Sequence, residues 1–373
     1  MRVALFTGNY NYVREGANQA LNRLVGDLEA RGHEYRIYSP VTDTPAFEPT
    51  GTLVPVPSVA LPKRREFRLA LGINRELRDD VRSFQPDIVH VATPDILGTR
   101  AQTFAKSLGV PVVASLHTRF ETYLDHYGLG WGKPLVRAHL RRFYGRSDMV
   151  LVPNSAIAEE MRGVDRPVAV WGRGIDRDRF NPAHRSFDWR ASRGWSEDDI
   201  VLLFFGRIVL EKGVDRFVEV VRRLRERGHN VRPLVVGEGP ARDRFASLPD
   251  TVFTGHVDGE ALGPAVASAD IMLSPSVTEA FGNVVLEGLA SGLVVVSANV
   301  PSASALIEPG VTGILCDPAS ADSYVDAIAV LIADPERRRL MGAAARDASA
   351  KFSWEEASLS VERAYEQVLS SRP

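Results

Sequence analysis

Two glutamates stand eight residues apart in "TEAFGNVVLEGLASG", Glu279 beside a small-residue loop and Glu287 inside an apolar helical run. An ionised carboxylate only accepts hydrogen bonds, so the pair suits a ligand rich in hydroxyl groups, such as a sugar or a ribose. If a helix begins at Gly282 or Asn283, its first free N–H groups can meet phosphate or sugar oxygens, with Glu287 about one turn farther in. A plainer reading also fits, with Glu279 as a charge at a helix start and Glu287 as a solvated position. A second stretch, "FFGRIVLEKGVDRFVEVVRRL", sets Arg207 just after a strand and Lys212 near a helix start. Two cations and free amides there can converge on a diphosphate. It is not a Walker A loop, because Gly206 and Lys212 miss the G-x-x-x-x-G-K-[ST] spacing and no hydroxyl follows the lysine. A solvated pair of surface charges would look the same.

Such loops need rigid elements behind them. Short β-rich runs alternate with amphipathic stretches along the chain: "RVALFT", "EYRIYS", "DIVHVAT", "PVVASLHT" and "DMVLVPN", then "IVLLFFG", "RPLVVGEG", "DIMLSPS" and "LVVVSANV". Near-continuous apolar strands separated by helices predict parallel sheets covered on both faces. "GANQALNRLVGDLEARGH" reads as one such helix, with Ala20, Leu21, Leu24, Val25 and Leu28 on one stripe and Gly32 ending it. The expected fold class is α/β, with two Rossmann-like doubly wound domains facing across a cleft. Strand patterning stops at "WGRGIDRDRFNPAHRSFDW" and resumes at Ile200, which places the boundary there. The division expected is residues 1–172, with the last helix 355–373 packing back on them, and residues 173–354. Ligands of open α/β sheets bind beyond the carboxyl ends of the strands, so the loops that follow strands are the informative ones.

Composition narrows the function. The 373 residues carry 45 basic and 47 acidic side chains, a net charge of -2, so no global field attracts nucleic acid. Cys316 is the lone cysteine, which excludes an intrachain disulfide and a multi-thiolate metal site and makes it buried filler. The N-terminal apolar run is too short for a signal peptide, and no stretch of about 18 apolar residues occurs. The chain is therefore expected to be cytoplasmic, without a membrane span.

Gly206, Arg207 and Lys212, then "GEG" from Gly237 to Gly239, then Glu279 and Glu287, taken in that order, resemble the retaining GT-B glycosyltransferases of the family 4 type, over essentially the whole chain. "HTRFETYLDHYGLG" and the upstream "VPVPSVALPKRREFRLALG" are similar to the branch with bacterial mannosyltransferases and the sulfoquinovosyl- and glycosyl-diacylglycerol synthases. The resemblance implies a hexosyltransferase that takes a GDP- or UDP-type nucleotide-diphosphate sugar as co-substrate and needs no cofactor or metal. It implies that Arg207 and Lys212 bind the donor diphosphate, Glu287 the ribose hydroxyls and Glu279 the transferred sugar. The amides around Ala280, Phe281, Gly282 and Asn283 would meet phosphate and sugar, and Gly237 and Val257 would complete the donor side. His117, a type that at a strand end is more often structural, would touch the donor sugar from the N-terminal domain. Gly16 would let the first helix approach the diphosphate. Here the chain departs from the family's double glycine, having Glu15 before Gly16. "DRD" at Asp176–Asp178 looks like a metal motif but falls in the linker.

Other classes fare less well. A dinucleotide-dependent oxidoreductase needs G-x-G-x-x-G after its first strand, and neither "TGNYNYVREG" nor "GEGPAR" supplies it. A sugar-nucleotide hydrolase or epimerase on the same scaffold, or transfer to a soluble acceptor, stays open. Residues 62–82 cluster Lys63, Arg64, Arg65, Arg68, Arg75 and Arg78 around Phe67, Leu69, Leu71 and Ile73. This composition fits a segment resting on an anionic membrane surface, and equally a helix packed on the sheet with a solvated basic face. The first alternative, with the branch resemblance, suggests a peripheral enzyme acting on a lipid or glycan acceptor at the inner face of the membrane.

Overall fold

The computed structural model describes residues 1–61, 64–120, 122, 128 and 130–371, without the side chains of 64–66. Among them the chain divides into two compact units. One begins at Met1, runs to Gly174 and includes the chain from Trp354 onward, and the other is Ile175–Ser353.

The first unit holds β1 (Arg2–Phe6), β2 (Glu34–Ser39), β3 (Thr52–Pro55), β4 (Ser58–Leu61), β5 (Arg64–Ala70), β6 (Ile88–Val91), β7 (Val112–Ser115), β8 (Met149–Val152) and β9 (Val168–Val170). Seven of these form a parallel sheet in the order β3-β2-β1-β6-β7-β8-β9, and β4 and β5 pair as an antiparallel hairpin. Alternate residues of β1 serve opposite faces, as the two-residue period of a strand requires. Val3 and Leu5 pack with the helix Gly16–Ala30 and the C-terminal helix Trp354–Ser370, while Ala4 and Phe6 pack with helices Arg75–Phe84 and Ile96–Leu108. The stripe Ala20, Leu21, Leu24, Val25 and Leu28 is fully buried, and Gly32 ends its helix with positive φ. The C-terminal helix sets Val361, Tyr365 and Val368 into this core.

The second unit repeats the plan with β10 (Ile200–Phe205), β11 (Val231–Val236), β12 (Val252–Gly255), β13 (Ile271–Ser274), β14 (Val294–Ala298) and β15 (Gly313–Cys316). They lie parallel in the order β12-β11-β10-β13-β14-β15, with Val201 and Leu203 on one face and Leu202 and Phe204 on the other. Cys316 is buried, and burial pushes its thiol up to about 11, as filler should behave.

The basic segment divides between the hairpin strand β5 and the helix Arg75–Phe84. Ile73, Leu77, Val81 and Phe84 are buried in the core of the first unit, so the helix Arg75–Phe84 has no apolar face left for a lipid surface. Arg68 binds Ser58 across its own hairpin, with Nε 2.8 Å from Oγ. Leu71 remains half exposed; Lys63 lies outside the described residues. No helix among the described residues is long and apolar enough to cross a membrane.

Candidate active site

In the second unit the loops after β10 and β13 carry the charged residues. Arg207 is half-buried at the end of β10, and its neighbours are stitched to the loop after β11: Gly206 N–H donates to the Val236 carbonyl (2.9 Å) and Ile208 N–H to that of Glu238 (2.8 Å). This approach explains the "GEG" glycines. A Cβ on Gly237 would sit 2.0 Å from the Gly206 carbonyl oxygen, and φ there is +142°, so no side chain is tolerated. The constraint on Gly237 is thus chain packing, whatever it does for a ligand.

A short 3-10 turn, Leu210–Lys212, leads through Gly213 into the helix Val214–Glu226. The loop after β13 is pinned to that turn. Thr278 Oγ1 donates to the Glu211 carbonyl (3.1 Å), and Ser276 Oγ lies within donating distance of that carbonyl (3.2 Å) and of Glu279 Oε1 (3.1 Å). Glu279 Oε1 also takes an ion pair from Lys212 Nζ. Lys212 and Glu279, expected at different parts of a donor, hold each other here. Glu211, which sequence reasoning passed over, is buried, and its Oε2 has no hydrogen-bond partner among the described residues.

The helix in the opening motif is Asn283–Ala290, with Gly282 at its N-cap in the left-handed region, φ +94°. Ala280 and Phe281 are buried, Phe281 packing edge-on against Phe352 at 6.2 Å, so at these positions only the backbone can face a ligand. Glu287 lies one turn in and is half-buried. Burial pushes its carboxyl up to about 7, against the opposing pull of Arg179 and Lys212. Lys212 is therefore close enough to act electrostatically on both glutamates. Arg179, read only as linker charge, belongs to the same field. Val257 lies half-buried two residues past β12. In "DRD", Asp176 Oδ1 caps a turn by accepting from the N–H of Asp178 (3.2 Å) and of Arg179 (2.9 Å).

The remaining predicted residues lie in the first unit. Gly16 opens its helix behind Glu15, which forms a capping box with Asn18 and accepts from Asn9 Nδ2 at 3.1 Å. The departure from double glycine thus puts a carboxylate at the helix start intended for a diphosphate. His117 follows β7, half-buried, with its ring 5.0 Å from that of Trp171 in an edge contact. Its Nδ1 lies 3.0 Å from an Arg173 guanidinium nitrogen and its Nε2 2.8 Å from Ser115 Oγ. Ser115 also meets His90 Nε2 (2.8 Å), and His90 Nδ1 meets Tyr365 Oη (2.7 Å). Burial lowers the His90 ring to about 3. Burial, with Arg173 and His90, holds His117 well below the usual histidine range. Sequence reasoning missed Ser115, His90, Arg173 and Tyr365. No local signal marks them, since the short edge strand β9 before Arg173 is itself not legible in the sequence.

Residues 14–179 match the family described as Glycosyltransferase Family 4, and residues 186–348 the one described as Glycosyl transferases group 1. The chain is 32% identical over 384 residues to the GDP-mannose-dependent alpha-mannosyltransferase of Mycolicibacterium smegmatis, covering 100% of this chain and 99% of that protein. It is 30% identical over 375 residues to sulfoquinovosyl transferase SQD2 of Arabidopsis thaliana, covering 96% and 72%. With the alpha-monoglucosyldiacylglycerol synthase of Acholeplasma laidlawii it shares 26% over 336 residues, 84% of each. The sucrose-phosphate synthase structure from Thermosynechococcus elongatus matches with TM-score 0.77 at 19% identity, over 100% of both chains. The fold class is that of the GT-B glycosyltransferases. The chain belongs to this glycosyltransferase family, and it is an enzyme of that class.

Proposed function

We propose that the enzyme moves a hexose of the mannose or glucose type from a GDP- or UDP-linked donor to a lipid or glycan acceptor, with retention of anomeric configuration. The observation that carries this reading is Lys212, which pairs with Glu279 and acts on Glu287, so that one cation joins the carboxylates suited to sugar and ribose hydroxyls. Arg207, Lys212 and the amides from Ala280 to Asn283 hold the diphosphate, Glu287 the ribose, Glu279 the hexose, and His117 contacts the transferred sugar. Transfer breaks the bond from C1 to the diphosphate oxygen and forms the bond from C1 to the acceptor oxygen on the same face. The acceptor proton passes to a diphosphate oxygen. Preorganised cations and a helix start stabilise the charge gathering on that leaving group, so the scheme uses no metal.

The relative named as GDP-mannose-dependent, matched over nearly its whole length, supports the donor class, and the one named as a diacylglycerol synthase supports a lipid acceptor. A groove of about 450 Å³ in the first unit adds to this. Its lining includes Leu116, next to His117 in the sequence, with Leu140, Ile157 and Met161 and the charged Arg119, Arg137, Arg141 and Glu160, so an apolar chain and a polar head could share it. Such an enzyme would work as a peripheral protein at the cytoplasmic face. The test is a panel of nucleotide sugars scored by thermal shift, since a donor at about 100 times its Kd adds roughly 2.7 kcal/mol. NMR of the first product then reads its anomeric configuration. Steady release of free sugar without acceptor would favour a hydrolase, and an inverted product would overturn retention.

A further inference from the structure

We propose that Arg173 is a positioning residue that fixes His117 as a neutral ring with its proton on Nε2, the first link of a directed hydrogen-bond chain running to the C-terminal helix. The inference rests on the reading that His117 contacts the transferred sugar, and it adds the groups that hold the ring.

The direction follows from donor and acceptor bookkeeping. A guanidinium has no acceptor, so the 3.0 Å contact makes Arg173 the donor and leaves His117 Nδ1 as a bare lone pair. A neutral imidazole then carries its proton on Nε2 and gives it to Ser115 Oγ at 2.8 Å. Ser115 keeps its own hydrogen for His90 Nε2, also at 2.8 Å. His90 is thereby protonated on Nδ1 and donates to Tyr365 Oη at 2.7 Å. Tyr35 Oη donates to the same Tyr365 oxygen at 3.4 Å, and the chain ends there. One residue sets every bond, because reversing the His117 tautomer would aim an N–H at the guanidinium and leave Ser115 facing a second lone pair.

Arg173 is itself held. It is 5% exposed, donates to the carbonyls of Trp171 (3.0 Å) and Gly172 (2.8 Å), and lies over the Trp171 ring at 4.7 Å. Burial lowers its guanidinium to about 10, which leaves it charged at neutral pH. With both ring nitrogens committed, His117 cannot act as a general base. This agrees with a transfer in which the leaving diphosphate takes the acceptor proton, and it makes ring orientation the property that Arg173 protects.

The test uses the whole enzyme labelled with ¹⁵N-histidine, the His117 signals being assigned by their loss in His117→Gln. Long-range ¹H–¹⁵N correlation should show His117 neutral with Nε2 protonated. Arg173→Met should scramble the tautomer and lower kcat roughly 10- to 100-fold, with donor KM nearly unchanged. Arg173→Lys, which keeps a donor toward Nδ1, should restore the tautomer and most of kcat. Should Arg173→Met fold poorly, Arg173→Lys and the wild-type spectrum still decide. An imidazolium or Nδ1-protonated His117 in the wild type overturns the proposal, as does Arg173→Met with unchanged tautomer and kcat. Full activity in His117→Gln overturns the reading beneath it. A wild type that transfers no sugar marks a failure of the proposed function instead.

Discussion

The first unit sets two histidines and an arginine around β6 and β7 in a run of single hydrogen bonds, whereas the second gathers Lys212, Glu279 and the helical Glu287, each partly accessible. The two arrangements meet the cost of desolvation differently. Around His117 the rings give up their charge, and each donor then finds one acceptor, which is what a buried polar network needs. Around Lys212 the ion pair with Glu279 and partial access to water offset the cost of desolvation, while burial raises the Glu287 carboxyl to about 7. Neutral groups can therefore fix an orientation deep in a unit, while charged groups stay near solvent, where an anionic ligand can reach them.

The sharpest way to break this comparison is Lys212→Ala. Removing the cation shared by both glutamates should cost about 3 to 4 kcal/mol of transition-state stabilisation, read as kcat/KM on the best donor. Near-normal turnover would reduce the charged cluster to a structural one.

Glu287 gives a pH signature. Its folded carboxyl is raised from 4.5 to about 7, so the protonated form is favoured by folding. The associated stability is fully present below pH 4.5 and is lost as pH rises through 7, by at most about 3 kcal/mol. Denaturant melts across that window should slope downward in the wild type relative to Glu287→Gln. Nucleoside diphosphate affinity should climb over the same range in the wild type only, because ribose hydroxyls favour the ionised carboxylate. Parallel curves for the two proteins would contradict the assignment.

On the neutral side, Ser115→Ala removes the one hydroxyl between the two rings and should destabilise folding by about 2 kcal/mol, with the denaturant m-value unchanged. Tyr365→Phe severs only the far end of the chain and should cost about 1 kcal/mol, with the His117 tautomer intact. A larger loss from Tyr365 than from Ser115 would mean that the chain is anchored at the helix rather than at Arg173.

The sequence was most legible where burial is two-sided. Runs such as "VLLFF" and "LVVV" are apolar without interruption because helices cover both faces, and all nine strands read from the sequence are present. The strands β3, β9, β12 and β15 are not legible, since "TLVP", "VAV", "VFTG" and "GILC" are four residues or fewer and none is buried throughout. In the same way, Glu279, Glu287, Arg207 and Lys212 stand out in the sequence because glycine and charge cluster around them. Arg173 and Ser115 do not. Their significance lies in contacts spanning 56 and 25 residues, which no local pattern encodes.

Gly174 and Trp354 touch so closely that a Cβ on the glycine would sit 2.1 Å from the Trp354 nitrogen. The whole of Ile175–Ser353 thus leaves the first unit and re-enters it at one seam. In engineering terms the second unit is a cassette, flanked by two cut points that a short Gly-Ser linker could join. Excising it should leave the first unit with its core helix Trp354–Ser370 still in cis. Exchanging the cassette between relatives would keep Arg173, His117 and their supporting helix as one inherited piece.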